Sequence, residues 1–216
     1  MRRNWVRAFL ASSACLLCTG AFAVTLDFEG MNDLDPIQNF YNGGLSGGGA
    51  GAGPAYGITF SADAITVKDS DQGGSALGNF ANEPSPDHVM SFLQNGGVTL
   101  NRTGGFTSAL SFYYSAFAVP GSVSIFAGPN GTGATLATQP LAITPVGAGD
   151  PTGDFSTFAL VNVPFVGIAQ SAVFSGTNNE IAFDNVGLTL VPEPSGIVAS
   201  LLVVAGLAAS RRRLIG

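Results

Sequence analysis

Reactive side chains are scarce in this chain. One histidine, His88, stands among 216 residues, and both cysteines, Cys15 and Cys18, fall in an apolar stretch near the start. Read as a base, His88 needs a nucleophile such as Ser85 or Ser91, yet no G-x-S-x-G elbow surrounds either serine. One histidine with no cysteine beyond residue 18 gives no zinc set. No catalytic residue is assigned, and the chain reads as a non-enzyme. Carboxylates are the remaining chemistry. Asp27 and Glu29 alternate onto one face of an extended LDFEG segment, and Asp184 and Asn185 sit in a second strand-like run near the far end. Hard cations take several carboxylate and carbonyl oxygens. If the first and last strands pair, Asp27, Glu29 and Asp184 become the candidate set for a structural calcium. The competing reading is solvated acids on an outer strand face. The same acids, as a carboxylate pair, define the alternative function of a secreted carbohydrate-active hydrolase. Asp69-Ser70-Asp71 opens like a calcium loop but fails the EF-hand pattern, with Gly73 and Phe80 at the fifth and twelfth positions.

Aromatic residues offer a second kind of site. Phe40-Tyr41 and Tyr113-Tyr114 are adjacent pairs, and neighbours on a strand point to opposite faces. Tyr41 and Tyr113 are therefore candidates for stacking on sugar rings.

The elements that must hold these residues are short and alternating. No long helical period appears between Val24 and Val191. Strands are expected at 24–29, 56–60, 64–67, 88–92, 98–101, 107–114, 122–127, 134–138, 155–161, 171–175, 180–184 and 187–191, with Gly, Pro, Asn and Asp between them. That pattern predicts an all-β, antiparallel, jelly-roll-like sandwich. Two long loops remain. The segment 42–54 is dominated by Gly and Ala and reads as loosely packed; 68–87 is acidic and carries Pro84 and Pro86.

Charge is segregated. Lys68 and Arg102 are the only bases between the ends, against 14 acids, so the body carries about 2 − 14 = −12. Such a body repels phosphate backbones, which excludes nucleic-acid binding.

Both ends read as addresses. Residues 1–23 place three arginines before an apolar stretch and close on Ala21-Phe22-Ala23, the pattern of a secretory signal peptide cut between Ala23 and Val24. The exported chain then has no thiol. Residues 192–216 begin Pro192-Glu193-Pro194, continue as an apolar run from Gly196 to Ala209, and end near Arg211-Arg212-Arg213. A helix over 195–210 spans about 24 Å. That is short for a hydrocarbon core of about 30 Å but workable with arginine snorkelling. The arginines place its C-terminal end in the cytoplasm.

This three-part tail resembles the PEP-CTERM sorting signal of Gram-negative bacteria. The body is similar to ectodomains carried by such tails, through LDFEG (26–30), NFYNGG (39–44), YGITFS (56–61), NEPSPD (82–87), GFTSALSFYYSA (105–116) and IAFDNVGL (181–188). The resemblance implies export, transient anchoring in the inner membrane, and processing by an exosortase at Pro192-Glu193-Pro194, with signal peptidase acting at the other end. It implies a place at the cell surface or in the extracellular matrix, alongside exopolysaccharide and biofilm, and a lectin-like, carbohydrate-binding sandwich. It transfers no catalytic residue.

Overall fold

The computed structural model describes residues 21–147 and 153–192. The expected signal helix and the apolar tail helix lie outside them, as do Glu193, Pro194 and Arg211–Arg213. No helix among the described residues is long and apolar enough to cross a membrane.

Among the described residues nine strands form one antiparallel sheet: β1 Phe22–Leu26, β2 Ile58–Phe60, β3 Ile65–Lys68, β4 His88–Ser91, β5 Gly97–Ala116, β6 Gly121–Phe126, β7 Thr135–Leu141, β8 Ala159–Ser175 and β9 Ile181–Leu190. The order is β3-β4-β9-β5-β8-β6-β7, with β1 on β9 and β2 on β5. The all-β, antiparallel expectation holds, and the first and last strands pair, with Val24 opposite Leu188.

The expected strand limits fail in an informative way. Segments read as six strands are three long ones, β5, β8 and β9. Gly104-Gly105 and Asn185 read as breaks, but they are bulges within continuous strands. Between Asn101 and Phe106 of β5 the partner β8 advances only from Ser171 to Ala169. Gly105 takes φ +80°, which a side chain resists. On β9, Asn185 at φ +48° supplies the extra residue between the Tyr113–Asp184 and Ser111–Gly187 pairs. Conversely, the expected strand over 24–29 stops at Leu26, because Phe28 adopts φ +63°.

The bends fold the sheet over itself. Val98 pairs with Phe174, and Phe112 lies 14 residues further along β5. Straight strands would separate Phe112 from Phe174 by about 46 Å. Their ring centroids are 5.8 Å apart, and Phe183 of β9 meets them at 5.8 and 4.9 Å. Two halves of one sheet therefore face each other as layers around a single core, sharing β5 and β8. A smaller cluster of Val67, Phe80, Val89, Phe155 and Ala182 is completed by the 68–87 segment, so that β4 is buried throughout.

Neither long loop is slack. Asp35, 2 % exposed, accepts from Ser46 Oγ at 2.5 Å and from the Gly48 N–H, pinning the Gly-rich segment. Asp33 accepts from the N–H groups of Lys68 and Ser75 at 2.8 and 2.7 Å, pinning the acidic one.

Truncating the ring that joins the layers tests the fold-back. Phe174→Ala should cost about 3–5 kcal/mol, the range for deleting a buried aromatic. Denaturant titration of the 24–191 body should show it; a loss well under 1 kcal/mol would mean that the layers do not depend on this contact.

Candidate functional site: a carboxylate node and an open groove

The acids singled out by sequence meet at the turn that follows β1. Asp184 is fully buried. Its oxygens accept from the Ser85 N–H at 2.7 Å, the Ser85 hydroxyl at 2.9 Å and the Asn185 N–H at 2.6 Å. Glu29 accepts from the N–H groups of Asp87 and His88, both at 2.9 Å, and its other oxygen meets His88 Nδ1 at 2.9 Å. Asp27 joins through its backbone, whose carbonyl oxygen lies 3.0 Å from Ser85 Oγ as an alternative acceptor for that hydroxyl. The bulge at Asn185 sets the orientation of Asp184, and the loop from Pro84 to Asp87 is clamped by both carboxylates.

This arrangement corrects the calcium expectation. Asp27, Glu29 and Asp184 are brought to one neighbourhood, but the hydrogen bonds occupy the oxygens of the last two. No set of three or more His, Cys, Asp or Glu side chains among the described residues is arranged to hold a metal ion. The same burial removes Asp184 from any sugar's reach. The Ser85 hydroxyl oxygen lies 3.0 Å from the His88 carbonyl oxygen, and the Ser91 hydroxyl bonds the Ile181 carbonyl at 2.9 Å. Neither serine is bonded to the imidazole.

Burial pushes the Asp184 carboxyl up from its ordinary 3.8 to about 6; the bonds from Ser85 and Asn185 pull it down, and the charge of Glu29 adds to the rise. Tyr41 is held nearby, its oxygen accepting from the Phe28 N–H at 2.7 Å. Burial, with Asp27 adding, pushes its phenol well above the ordinary value.

Tyr41 is therefore no glycan platform. It is 2 % exposed and packs edge-on against Phe28 and Phe40. Its task is to satisfy the N–H left over where Phe28 breaks the strand. Tyr113 is half-buried, between Leu160 and Asp184 in the strand register, and shares no site with Tyr41.

A tyrosine ring that does line an opening is Tyr56, which sequence reasoning passed over. It stacks on Tyr41 with planes 10° apart and centroids at 6.4 Å. With Asn42, Ala55, Gly57, Arg102 and Phe22 it lines a groove of about 390 Å³. Asn42 and Ala55 form an antiparallel bridge that closes the Gly-rich loop beside it. Arg102 comes from the β5 bulge and is buried. Gly104 gives it room, since a Cβ there would overlap the guanidinium. The groove combines an aromatic face with amide and guanidinium groups, a mixture suited to an uncharged or weakly acidic polyhydroxyl ligand.

No protein-family model and no curated protein matches the chain. Solved structures are similar at low identity. The K2 cleaved adhesin domain of Lys-gingipain, a Porphyromonas gingivalis protein, is 13 % identical at TM-score 0.47, over 78 % of this chain and 98 % of that one. A family 29 carbohydrate-binding module from Piromyces equi is 8 % identical at 0.42, over 79 % and 91 %. The C-terminal family 6 module of a Zobellia galactanivorans laminarinase is 16 % identical at 0.35, over 60 % and 90 %. Likenesses this distant assign no activity to this chain.

The node has a pH signature. A carboxyl whose pKa is raised on folding contributes stability that is present below its unfolded value and lost as pH rises through about 6. Asp184→Asn points an amide N–H₂ at the Ser85 N–H or the Ser85 hydroxyl and should cost about 1–3 kcal/mol near pH 4. The variant lacks the titration, so the gap between the two proteins should narrow between about pH 4 and 7. A gap that widens over this range in thermal melts would reverse the assignment.

Proposed function

We propose that the chain is an exported surface or matrix protein that binds exopolysaccharide through the Asn42–Tyr56–Arg102 groove. The observation that carries the binding half is this groove, in which a supported aromatic face and hydrogen-bonding groups meet at an opening. A sugar ring lays its C–H face on Tyr56, and its hydroxyls pair with the amide of Asn42 and the edge of Arg102. Cleavage between Ala23 and Val24 removes Phe22 from the wall and widens the groove on the exported chain.

The delivery half rests on the two ends of the sequence. A signal peptide routes the chain through the inner membrane. The tail of Pro192-Glu193-Pro194, apolar run and arginines holds it there until an exosortase cuts near the motif. This reading gives the protein a transient membrane stage and a final place outside the cell, in a biofilm matrix.

Two measurements test the halves separately. On a glycan array, the 24–191 body should bind at least one bacterial polysaccharide, and Asn42→Ala should weaken that binding several-fold, as expected for a lost hydrogen bond of about 0.5–1.5 kcal/mol. Asn42 is exposed, so its truncation leaves the fold intact. Unchanged binding by this variant and by Tyr56→Ala would remove the groove from the function. Replacing Pro192-Glu193-Pro194 by alanines should leave export intact and trap the protein on the membrane. Release as efficient as wild type in cell fractionation would overturn the exosortase reading.

A further inference from the structure

The end of the body from which the tail departs carries two exposed aliphatic side chains close together. β9 finishes at Leu190, and the next N–H, that of Val191, bonds the Gly105 carbonyl at 3.0 Å. The neighbouring row across the sheet runs Thr189, Thr107, Ile168. Ile168 thus lies two strand spacings, about 10 Å, from the exit strand. It is 54 % exposed, and Val166, beyond Gly167, is 90 % exposed, the highest value for a large hydrophobic side chain among the described residues. Isolated exposed aliphatics need no explanation; two beside the departure point of an apolar tail do.

Charge points the same way. No Asp, Glu, Lys or Arg occurs from Thr103 to Gly149 or from Phe155 to Asn179, so apart from Arg102 at the β5 bulge and the buried Asp184 of β9 the strands forming this corner carry no charge. Along β1, which starts at the corner with Phe22 opposite Leu190, the first acid is Asp27, five residues or about 16 Å away. A body of about −12 brought against an anionic leaflet is repelled least where it presents such a surface. The tether is short. Five residue steps separate Val191 from Gly196, where the apolar run begins, and they span at most about 18 Å.

We propose that this corner, through Val166 and Ile168, is the body's membrane-facing surface and rests at the headgroup–acyl boundary while the tail is in place. The proposal rests on the tail's membrane reading given above and adds to it an orientation for the body. Two aliphatic side chains bind a bilayer weakly on their own, so the body leaves once the tail is cut.

The test exploits the absence of thiols beyond residue 18. In a full chain carrying Cys15→Ser and Cys18→Ser, single variants Val166→Cys, Ile168→Cys and Ile143→Cys are labelled with an environment-sensitive fluorophore. The protein is then reconstituted into phosphatidylethanolamine/phosphatidylglycerol vesicles. Ile143 is equally apolar and 50 % exposed, but it adjoins Thr144, whose N–H bonds Ala116 at the far end of β5. Labels at 166 and 168 should shift to the blue and be quenched several-fold more strongly than at 143 by lipids bearing a quencher at headgroup depth. Equal quenching at all three positions in vesicles that carry the protein through flotation overturns the proposal while leaving the tail reading intact. A blue shift at 166 and 168 without lipid quenching overturns it in favour of a second copy packed on the corner. Failure of the chain to float with vesicles defeats the tail reading, and this proposal with it.

Discussion

The fold-back of β5 and β8 is the constraint on which the rest of the molecule depends. Both strands are too long for one layer, and the bulge at Arg102–Gly105 turns them over so that Phe112, Phe174 and Phe183 meet. Aromatic pairs add about 0.5–1.5 kcal/mol each beyond the area they bury. The turn also creates what lies outside the core. It places Arg102 at the base of the groove, exposes Val166 and Ile168 at the corner, and gives Val191 a carbonyl to bond as the chain departs. With no cysteine beyond residue 18, packing must supply in the body what disulfides supply in many other domains.

Sequence alternation revealed the fold class and most strand positions, because the period-two pattern of segments such as Leu110-Ser111-Phe112 follows directly from burial on one face. It missed the continuity of β5, β8 and β9. Gly104-Gly105 and Asn185 have the same local chemistry in a turn as in a bulge. Only the partner strand decides between them, and pairing between residues far apart leaves no local signal. The site was legible to a similar depth. Asp27, Glu29 and Asp184 do converge, as pairing of the first and last strands required. Their partners, the N–H groups of Ser85, Asp87 and His88, come from a loop whose path no periodicity encodes. Tyr41 looked like a surface ring because it adjoins Phe40, yet both are buried at the break made by Phe28. Tyr56 had no distinguishing neighbour at all; its orientation follows from the stack on Tyr41.

The carboxylates show how acids in a strongly anionic chain serve as structural staples. Asp33, Asp35, Glu29 and Asp184 each collect backbone N–H groups that a loop would otherwise leave unpaired. Four side chains thereby order two loops rich in Gly, Ala and Pro that have few large apolar residues to bury.

The position of β1 bears on the timing of maturation. Ala23 and Val24 flank the expected cleavage bond, and in the folded body they pair with Thr189 and Leu188. A peptidase needs that bond extended and unpaired. Leu188 is synthesised 164 residues after Val24. At roughly 5–20 residues per second the ribosome takes on the order of 10–30 s to produce the partner strand. During that interval the sheet cannot close over the bond. Were the chain cut at that bond, the topology would separate cleavage and folding in time: the strand that would shield the bond is among the last parts of the body to be made.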